Sequence, residues 1–328
     1  MDFEKLFQQF KNTKVAVIGD VMLDTYCWGH VERISPEAPV PVVTLDKREY
    51  RIGGAGNVAL NIASLGAPVS IFSIIGNDDD GIILKSLLEK NNINTSHLLK
   101  SDARITTNKS RIISRNQQMM RLDSETTKDL STEDENKIIE SVETFINKEN
   151  PQVIIFEDYN KGILTENVIA KIIALCKQKN IVTTVDPKRK NFFSYKGVDI
   201  FKPNLKEVKE GLNLLIEEID LPTLENIHKL LAEKLDHQIS FITLSEKGVF
   251  YQQQKDANIL SSHFRNISDV SGAGDTVIAV ASLIYATTKN VNLMAEVANI
   301  AGGLVCEEVG TVAINKAKLI SECNALLK

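Results

Sequence analysis

One stretch of this chain has residue types and spacing that could move a phosphoryl group: Asp269-Val270-Ser271-Gly272-Ala273-Gly274-Asp275-Thr276, followed by an apolar run from Val277 to Ala286. Gly272, Ala273 and Gly274 let the backbone turn tightly and come close to a ligand. The first amides of the helix that follows lack partners inside it and carry the positive end of its dipole. A phosphate fits such a cradle. Asp275 then has two readings. It could be a first-turn acid that satisfies the free amides, worth about 1 kcal/mol. It could instead be a general base that takes a proton from an attacking hydroxyl while the cradle stabilises the moving charge. Eight residues alone do not separate the two.

Three other places could support such a reaction. Gly53-Gly54-Ala55-Gly56-Asn57 opens a predicted helix, and Gly54-x-Gly56-x-x-Ala59 superficially matches a dinucleotide fingerprint. That fingerprint needs a buried parallel strand directly before it, and Glu49-Tyr50-Arg51-Ile52 is mostly polar, so an NAD site is disfavoured. Close backbone approach to a polyhydroxylated ligand, with Asn57 as donor and acceptor, accounts for the residues better. Asn204 and Glu207 stand at i and i+3 in a predicted first turn, which suits either a capping pair or carriage of hydrated Mg²⁺. Asp20 and Asp24 follow the apolar run Lys14 to Asp20, as turn acids or as ligand contacts.

The elements that must position these residues are legible in the text. After Glu125, helices predicted over 131–148, 165–179, 205–212 and 223–235 alternate with strands over 153–156, 181–186, 198–201 and 239–244. That alternation predicts an α/β fold, a three-layer arrangement around a mostly parallel sheet. Polar residues cluster at its strand ends, the edge where such folds bind ligands: Glu157-Asp158, Asp186-Pro187-Lys188, Lys202-Pro203-Asn204 and Thr243-Leu244-Ser245. The alternating, Pro-bearing text near 22–52 and the polar text at 105–123 predict a small β-sheet lid whose edge could pair with a second subunit. Arg115 and Arg121, in that lid, are either surface charges or clamps for an anionic substrate. The small residues Ala298 to Gly303 predict close helix packing or a slot for a flat base. No internal repeat or dividing linker is evident, so 1–328 reads as a single domain.

Composition narrows the partners. With 328 residues, 43% apolar, 25% charged and a net charge of −5 with both signs interspersed, the chain reads as globular, without a nucleic-acid surface. Cys27, Cys176, Cys306 and Cys323 are scattered and the five histidines lack zinc-ligand spacing, so a reduced, cytoplasmic setting is expected. No apolar run approaches the roughly 18 residues that span a bilayer, and Met1 to Asn12 does not read as a signal peptide. Small molecules are the expected partners.

Gly53 to Asn57, Asn204-x-x-Glu207 and Asp269-x-x-Gly-Ala-Gly-Asp275 together resemble the two signatures and the metal motif of the ribokinase-like (PfkB) sugar kinases. Within that family, Arg33 to Val43, Gly53 to Ala67, Ser114-Arg-Asn-Gln-Gln118, Asp158-Tyr-Asn-Lys-Gly162 and Gly272 to Ile278 are similar to the D-glycero-β-D-manno-heptose 7-phosphate kinases. The resemblance covers nearly the whole chain. It implies a ribokinase-like fold and phosphorylation of the heptose phosphate at O1 by ATP, on the route to ADP-heptose and lipopolysaccharide core. It makes Asp275 the base and Gly272, Ala273 and Gly274 the anion hole, with Asn204, Leu205, Lys206 and Glu207 serving ATP and Mg²⁺. It puts Ser245, Gly248 and Asn299 beside the nucleotide, and Asp20, Gly53, Gly54, Asn57 and Asp158 beside the sugar. Arg115, Lys161 and Lys188 are candidates for the 7-phosphate on charge and place. Ser271 stands where the family often has Thr, and its oxygen, with Asp269 and the Glu308–Gly310 turn, would help hold K⁺. Many relatives continue into a nucleotidyltransferase domain, so this chain is expected to be a stand-alone kinase or the kinase part of a longer one. Alternatives are a ribokinase- or fructokinase-like enzyme on a neutral sugar, and a non-catalytic sugar-phosphate sensor. A homodimer joined through the lid is expected.

Overall fold

The computed structural model describes residues 1–115, 117–216, 218–263 and 265–327. Asn116, inside the polar lid motif, and Lys328 lie outside the described residues. The strands are β1 (Val15–Gly19), β2 (Val21–Ile34), β3 (Pro41–Gly54), β4 (Val69–Gly76), β5 (Leu98–Ser101), β6 (Asn108–Ser114), β7 (Gln117–Ser124), β8 (Val153–Glu157), β9 (Val182–Asp186), β10 (Ile200–Phe201), β11 (Ile239–Thr243), β12 (Val249–Gln253) and β13 (Asp256–Leu260). The helices are α1 (Phe3–Gln9), α2 (Ala55–Ser64), α3 (Asp79–Lys90), α4 (Thr132–Glu149), α5 (Glu166–Lys179), α6 (Leu205–Leu212), α7 (Leu221–Leu235), α8 (Ala273–Thr288), α9 (Val291–Val305) and α10 (Lys316–Leu326).

Among the described residues, nine strands form the central sheet in the order β13-β12-β11-β10-β9-β8-β1-β4-β5. The pairings from β5 across to β11 are parallel, and β12 and β13 add an antiparallel edge. Alternation along β1 divides the core. Val15 and Val17 pack with α1, α2, α8, α9 and α10, while Ala16 and Ile18 face α4, α5, α6 and α7. The helices therefore cover both sheet faces, and every residue of β1, β4 and β8 is buried, as a parallel core strand requires.

Strand order reverses between β1 and β8, since the chain first winds outward to β4 and β5 and then returns to β8. The crevice of such a sheet opens at the carboxyl ends of those two strands. There the chain leaves the core at Asp20, runs out along β2 and comes back along β3. Gly54 makes the return with φ +58, and a Cβ on it would stand 2.3 Å from the Asp20 carbonyl oxygen. Ala55 N–H donates to that same oxygen at 3.0 Å, so α2 starts against the strand end. β3, β2, β6 and β7 form a separate four-stranded sheet, with β2–β3 and β6–β7 antiparallel and β2–β6 parallel. The strand before Gly53 is thus an antiparallel lid strand, the wrong support for a dinucleotide fingerprint.

Some elements differ from the sequence expectation. The strand expected over 198–201 shrinks to Ile200–Phe201, and β5 and the β12–β13 hairpin were not anticipated. α8 starts ahead of the apolar run from Val277, with Gly272 as its N-cap, and Asn290 caps α9.

Candidate active site

The N-cap of α8 is Gly272, whose φ of +77 is left-handed and whose added Cβ would lie 2.7 Å from Asn57 Nδ2. Only glycine fits there without displacing Asn57. Asp275 follows in the first turn, 4% exposed. Its oxygens do not serve the helix amides: Oδ2 accepts from Asn57 Nδ2 at 2.8 Å and Oδ1 from the Tyr159 hydroxyl at 2.8 Å. The capping role is therefore not the one its side chain performs. Burial pushes the Asp275 carboxyl above its ordinary range, the two donors pull it back, and the neighbouring Asp186 adds to the rise.

Beside the cradle lies a buried cluster of charge. A Cβ on Gly274 would stand 3.5 Å from Asp186 Oδ2 and 3.8 Å from Lys202 Nζ, so the glycine turn looks onto this pair. Lys202 Nζ lies 2.7 Å from Asp186 Oδ2, and Lys188 Nζ bridges Asp186 Oδ1 at 3.0 Å and Glu207 Oε1 at 2.7 Å. Burial works to raise Asp186, yet Lys188 and Lys202 hold it below the usual carboxylate range. Lys188 stays charged despite its burial because Asp186 and Glu207 flank it. Glu157, at the end of β8, is buried with neither carboxylate oxygen hydrogen-bonded. Burial, then Asp186 and Asp275, push its carboxyl well above the ordinary range, which favours the protonated form.

The sugar-side candidates divide. Asn57, Gly53 and Gly54 line the turn from lid to α2, next to Asp275 and Asp20. Asp20 itself is not free: its carboxylate accepts from the amides of Tyr159 at 2.8 Å, Lys161 at 3.0 Å and Ile163 at 3.2 Å, pinning the loop after β8. Asp158 likewise accepts from Tyr195 Oη and the Asn160 amide, both at 2.8 Å, and burial lifts its carboxyl to about 7. Both acids hold the strand edge together. Of the three cations expected at the 7-phosphate, Lys161 pairs with Glu125 at 2.8 Å and Lys188 is committed to Asp186 and Glu207. Arg115 sits exposed at the tip of the β6–β7 hairpin with φ +47. Arg121 pairs with Asp123 at 2.8 Å on the lid surface.

On the other side, Asn204 and Glu207 form a reciprocal capping box at the start of α6, with bonds of 2.7 and 2.8 Å. Leu205 and Lys206 complete its first turn, and the Lys206 side chain is exposed beside Glu210. Ser245, with φ +55, and Gly248, with φ +96, shape the turn after β11, where a Cβ on Gly248 would collide with the Leu260 carbonyl oxygen at 2.0 Å. Asn299 donates to the Ser261 carbonyl at 2.9 Å. Close packing is what the small residues of α9 permit at Gly302 and Gly303: the first packs on Val277 and the second on Arg265, which pairs with Glu307 and Glu322. Asp269 accepts from the Ser271 amide and hydroxyl at 2.9 and 2.8 Å and from the Gly310 amide at 2.9 Å.

Several residues of the site escaped the sequence reading. Tyr159 and Glu157 lie in the polar strand-end text, but nothing in that text assigns a role to either side chain. Asn61 donates to the Asn57 carbonyl at 2.9 Å and accepts from Thr276 Oγ1 at 3.2 Å and the Ile314 amide at 2.9 Å, tying α2 to α8 from within an apparently apolar helix. Its polarity at an inward position of α2 was the available signal.

The pfkB family carbohydrate kinase profile matches residues 12–318. The chain is 42% identical over 301 residues to the bifunctional protein HldE of Aliarcobacter butzleri, covering 92% of this chain and 62% of that protein. It is 36% identical over 322 residues to the bifunctional protein HldE of Syntrophotalea carbinolica, covering 97% of this chain and 64% of that one. The chain thus spans less than two thirds of these curated relatives. Among solved structures, phosphofructokinase-2 from Escherichia coli in complex with potassium superposes with a TM-score of 0.78 at 16% identity, covering 95% of this chain and 99% of that one. Arabidopsis thaliana ribokinase complexed with ribose and ATP gives 0.72 at 16% identity, covering 94% and 98%.

Proposed function

We infer the reaction from one premise: the chain belongs to the pfkB family of carbohydrate kinases. It is a sugar kinase, and the acceptor we assign to it is D-glycero-D-manno-heptose 7-phosphate, phosphorylated at O1 by ATP to the 1,7-bisphosphate. The product would feed ADP-heptose formation for lipopolysaccharide core. The lid and strand-end segments similar to heptose 7-phosphate kinases support the choice of sugar. The assignment concerns phosphoryl transfer alone.

The observation that carries it is the carboxylate of Asp275, held by Asn57 and Tyr159 at the mouth of the Gly272–Gly274 turn and beside the Asp186–Lys188–Glu207 cluster. In the reaction the sugar O1 hydroxyl gives its proton to Asp275 as the oxygen attacks the γ-phosphorus, and the bond to the ADP oxygen breaks. Amides at the start of α8 stabilise the charge on the transferring group. Lys188, flanked by Asp186 and Glu207 beside the glycine turn, is the cation we assign to that group in place of the 7-phosphate. Lys161, at the other end of the loop after β8, is our candidate for the 7-phosphate.

Among the described residues no group of three or more His, Cys, Asp or Glu side chains is arranged to enclose a metal ion. Mg²⁺ in nucleotide sites keeps most of its waters and rests on one or two carboxylates and the phosphates, so the hard oxygens of Asn204 and Glu207 fit it without a cage. When bound it would neutralise phosphate charge. Asp269 and Ser271 are the candidates for K⁺, and the exposed apolar residues of the lid, among them Leu45, Met120 and Leu122, are the candidate homodimer surface.

The test is ADP formation with Mg²⁺ and a panel of acceptors: heptose 7-phosphate, fructose 6-phosphate, ribose and fructose. The expected result is a kcat/KM for heptose 7-phosphate at least about tenfold above the others. Faster turnover of a neutral sugar would overturn the assignment, and ligand binding without ADP would mark a sensor.

A further inference from the structure

The loop after β8 delivers a tyrosine to the base, and we propose that Tyr159 is a positioning residue of the phosphoryl transfer, donating its hydroxyl to Asp275 and fixing the plane of that carboxylate. The inference rests on the kinase reading above.

Three features of the site assign this role. The loop is anchored through main-chain amides, those of Tyr159, Lys161 and Ile163, all on the Asp20 carboxylate, so the tyrosine is held wherever its side chain points. Its hydroxyl reaches Asp275 Oδ1 at 2.8 Å while Asn57 takes Oδ2, which fixes both oxygens of the base. Each oxygen still has a lone pair for the incoming sugar hydroxyl. Its ring lies under Lys188, with Nζ 5.5 Å from the centroid, so one side chain touches both the base and the cation beside the cradle.

The charged groups facing Asp275 explain why a donor is needed. Burial, and then Asp186 from the end of β9, favour a proton on the base, while the bonds from Asn57 and Tyr159 and the charge of Lys188 oppose it. A protonated carboxyl cannot accept the sugar proton, so a donor that favours the charged form keeps the base available. Tyr159 does not lose its own proton in this range, because burial and then Asp275 raise its hydroxyl well above the ordinary value. It therefore donates throughout the working range.

Tyr159→Phe isolates the hydroxyl, since the ring under Lys188 and the main-chain bonds to Asp20 remain. The pH dependence of kcat/KM for ADP formation from heptose 7-phosphate is compared for wild type and Tyr159→Phe between about pH 5 and 9, with melting temperature as a check on folding. The substrate phosphate titrates identically in both, so a difference reports the enzyme. The expected result is an acid limb displaced upward by about one pH unit, with kcat on the plateau lower by roughly tenfold and an unchanged melting temperature. Wild-type turnover with an acid limb unmoved in the variant overturns the assignment of Tyr159 alone, whether kcat falls or rises. Absence of ADP formation by wild type with every sugar phosphate overturns the kinase reading and this assignment with it.

Discussion

Asp275 illustrates how little of a residue's role is fixed by its position in a helix. A first-turn acid normally spends its oxygens on free amides, but here Asn57 and Tyr159 draw both away. Asp275→Asn keeps the shape and loses the basicity, and kcat should fall by about 10² to 10⁴ with the melting temperature little changed; a steady-state ADP assay alongside thermal denaturation checks this. Gly272→Ala attacks the same point through sterics. Its Cβ would meet Asn57 Nδ2 at 2.7 Å in a backbone of φ +77, so Asn57 must move and release Asp275. The variant should lose activity and about 1–2 kcal/mol of stability, read from urea unfolding.

At the scale of elements, the site is a set of strand ends and loops held together by buried acids. Asp20 ties the loop after β8 by three amides. Its carboxyl is raised by burial and pulled back by those same amides. Asp20→Ala should cost about 1–3 kcal/mol for each amide left unpaired, and hydrogen exchange at Tyr159, Lys161 and Ile163 should accelerate ahead of the rest of the sheet. Uniform acceleration across β1 and β8 would instead mean that the strand itself depends on Asp20. α6 shows the same economy, since one capping box both starts the helix and aims Glu207 at Lys188.

For the whole molecule, pH acts through groups far apart. Burial, aided by His228, lowers His237 to about 3, so between that value and 6.5 the unfolded chain binds a proton the native state refuses. Stability on this account rises with pH across that window and is lost as pH falls through it. Asp158 acts oppositely: raised to about 7 from 3.8, it keeps a proton in the native state that the unfolded chain has released, so its contribution falls as pH rises across that range. The two partly cancel in wild type. His237→Gln should make the measured stability fall more steeply, and Asp158→Asn should make it rise more steeply, with increasing pH between about 4 and 6.5; urea midpoints as a function of pH separate them. Substituting Asp for Leu45 and Met120, exposed on the lid sheet, should convert a dimer to monomer in sedimentation velocity if that face joins two copies.

What the sequence determined by itself was the scaffold and the cradle. Alternating apolar runs admit only a parallel sheet sandwiched by helices, and paired glycines before an apolar helix admit a phosphate, because periodicity and φ > 0 are local properties. The lid was legible for the same reason, in polar alternating text that cannot be buried on both faces. What only the tertiary structure decided was which polar side chains are spent on the protein. Asp20 and Asp158 read like ligand contacts, and their oxygens anchor loops; Lys188 reads like a cation for the substrate phosphate and is held between two acids; Tyr159 and Asn61 carry no assigned role within their segments and hold the base and its helix. Apart from the contact of Lys188 with Asp186, those partnerships join residues about twenty to more than two hundred positions apart. No spacing rule reaches across such a gap; the crossover that brings β1 beside β8 does.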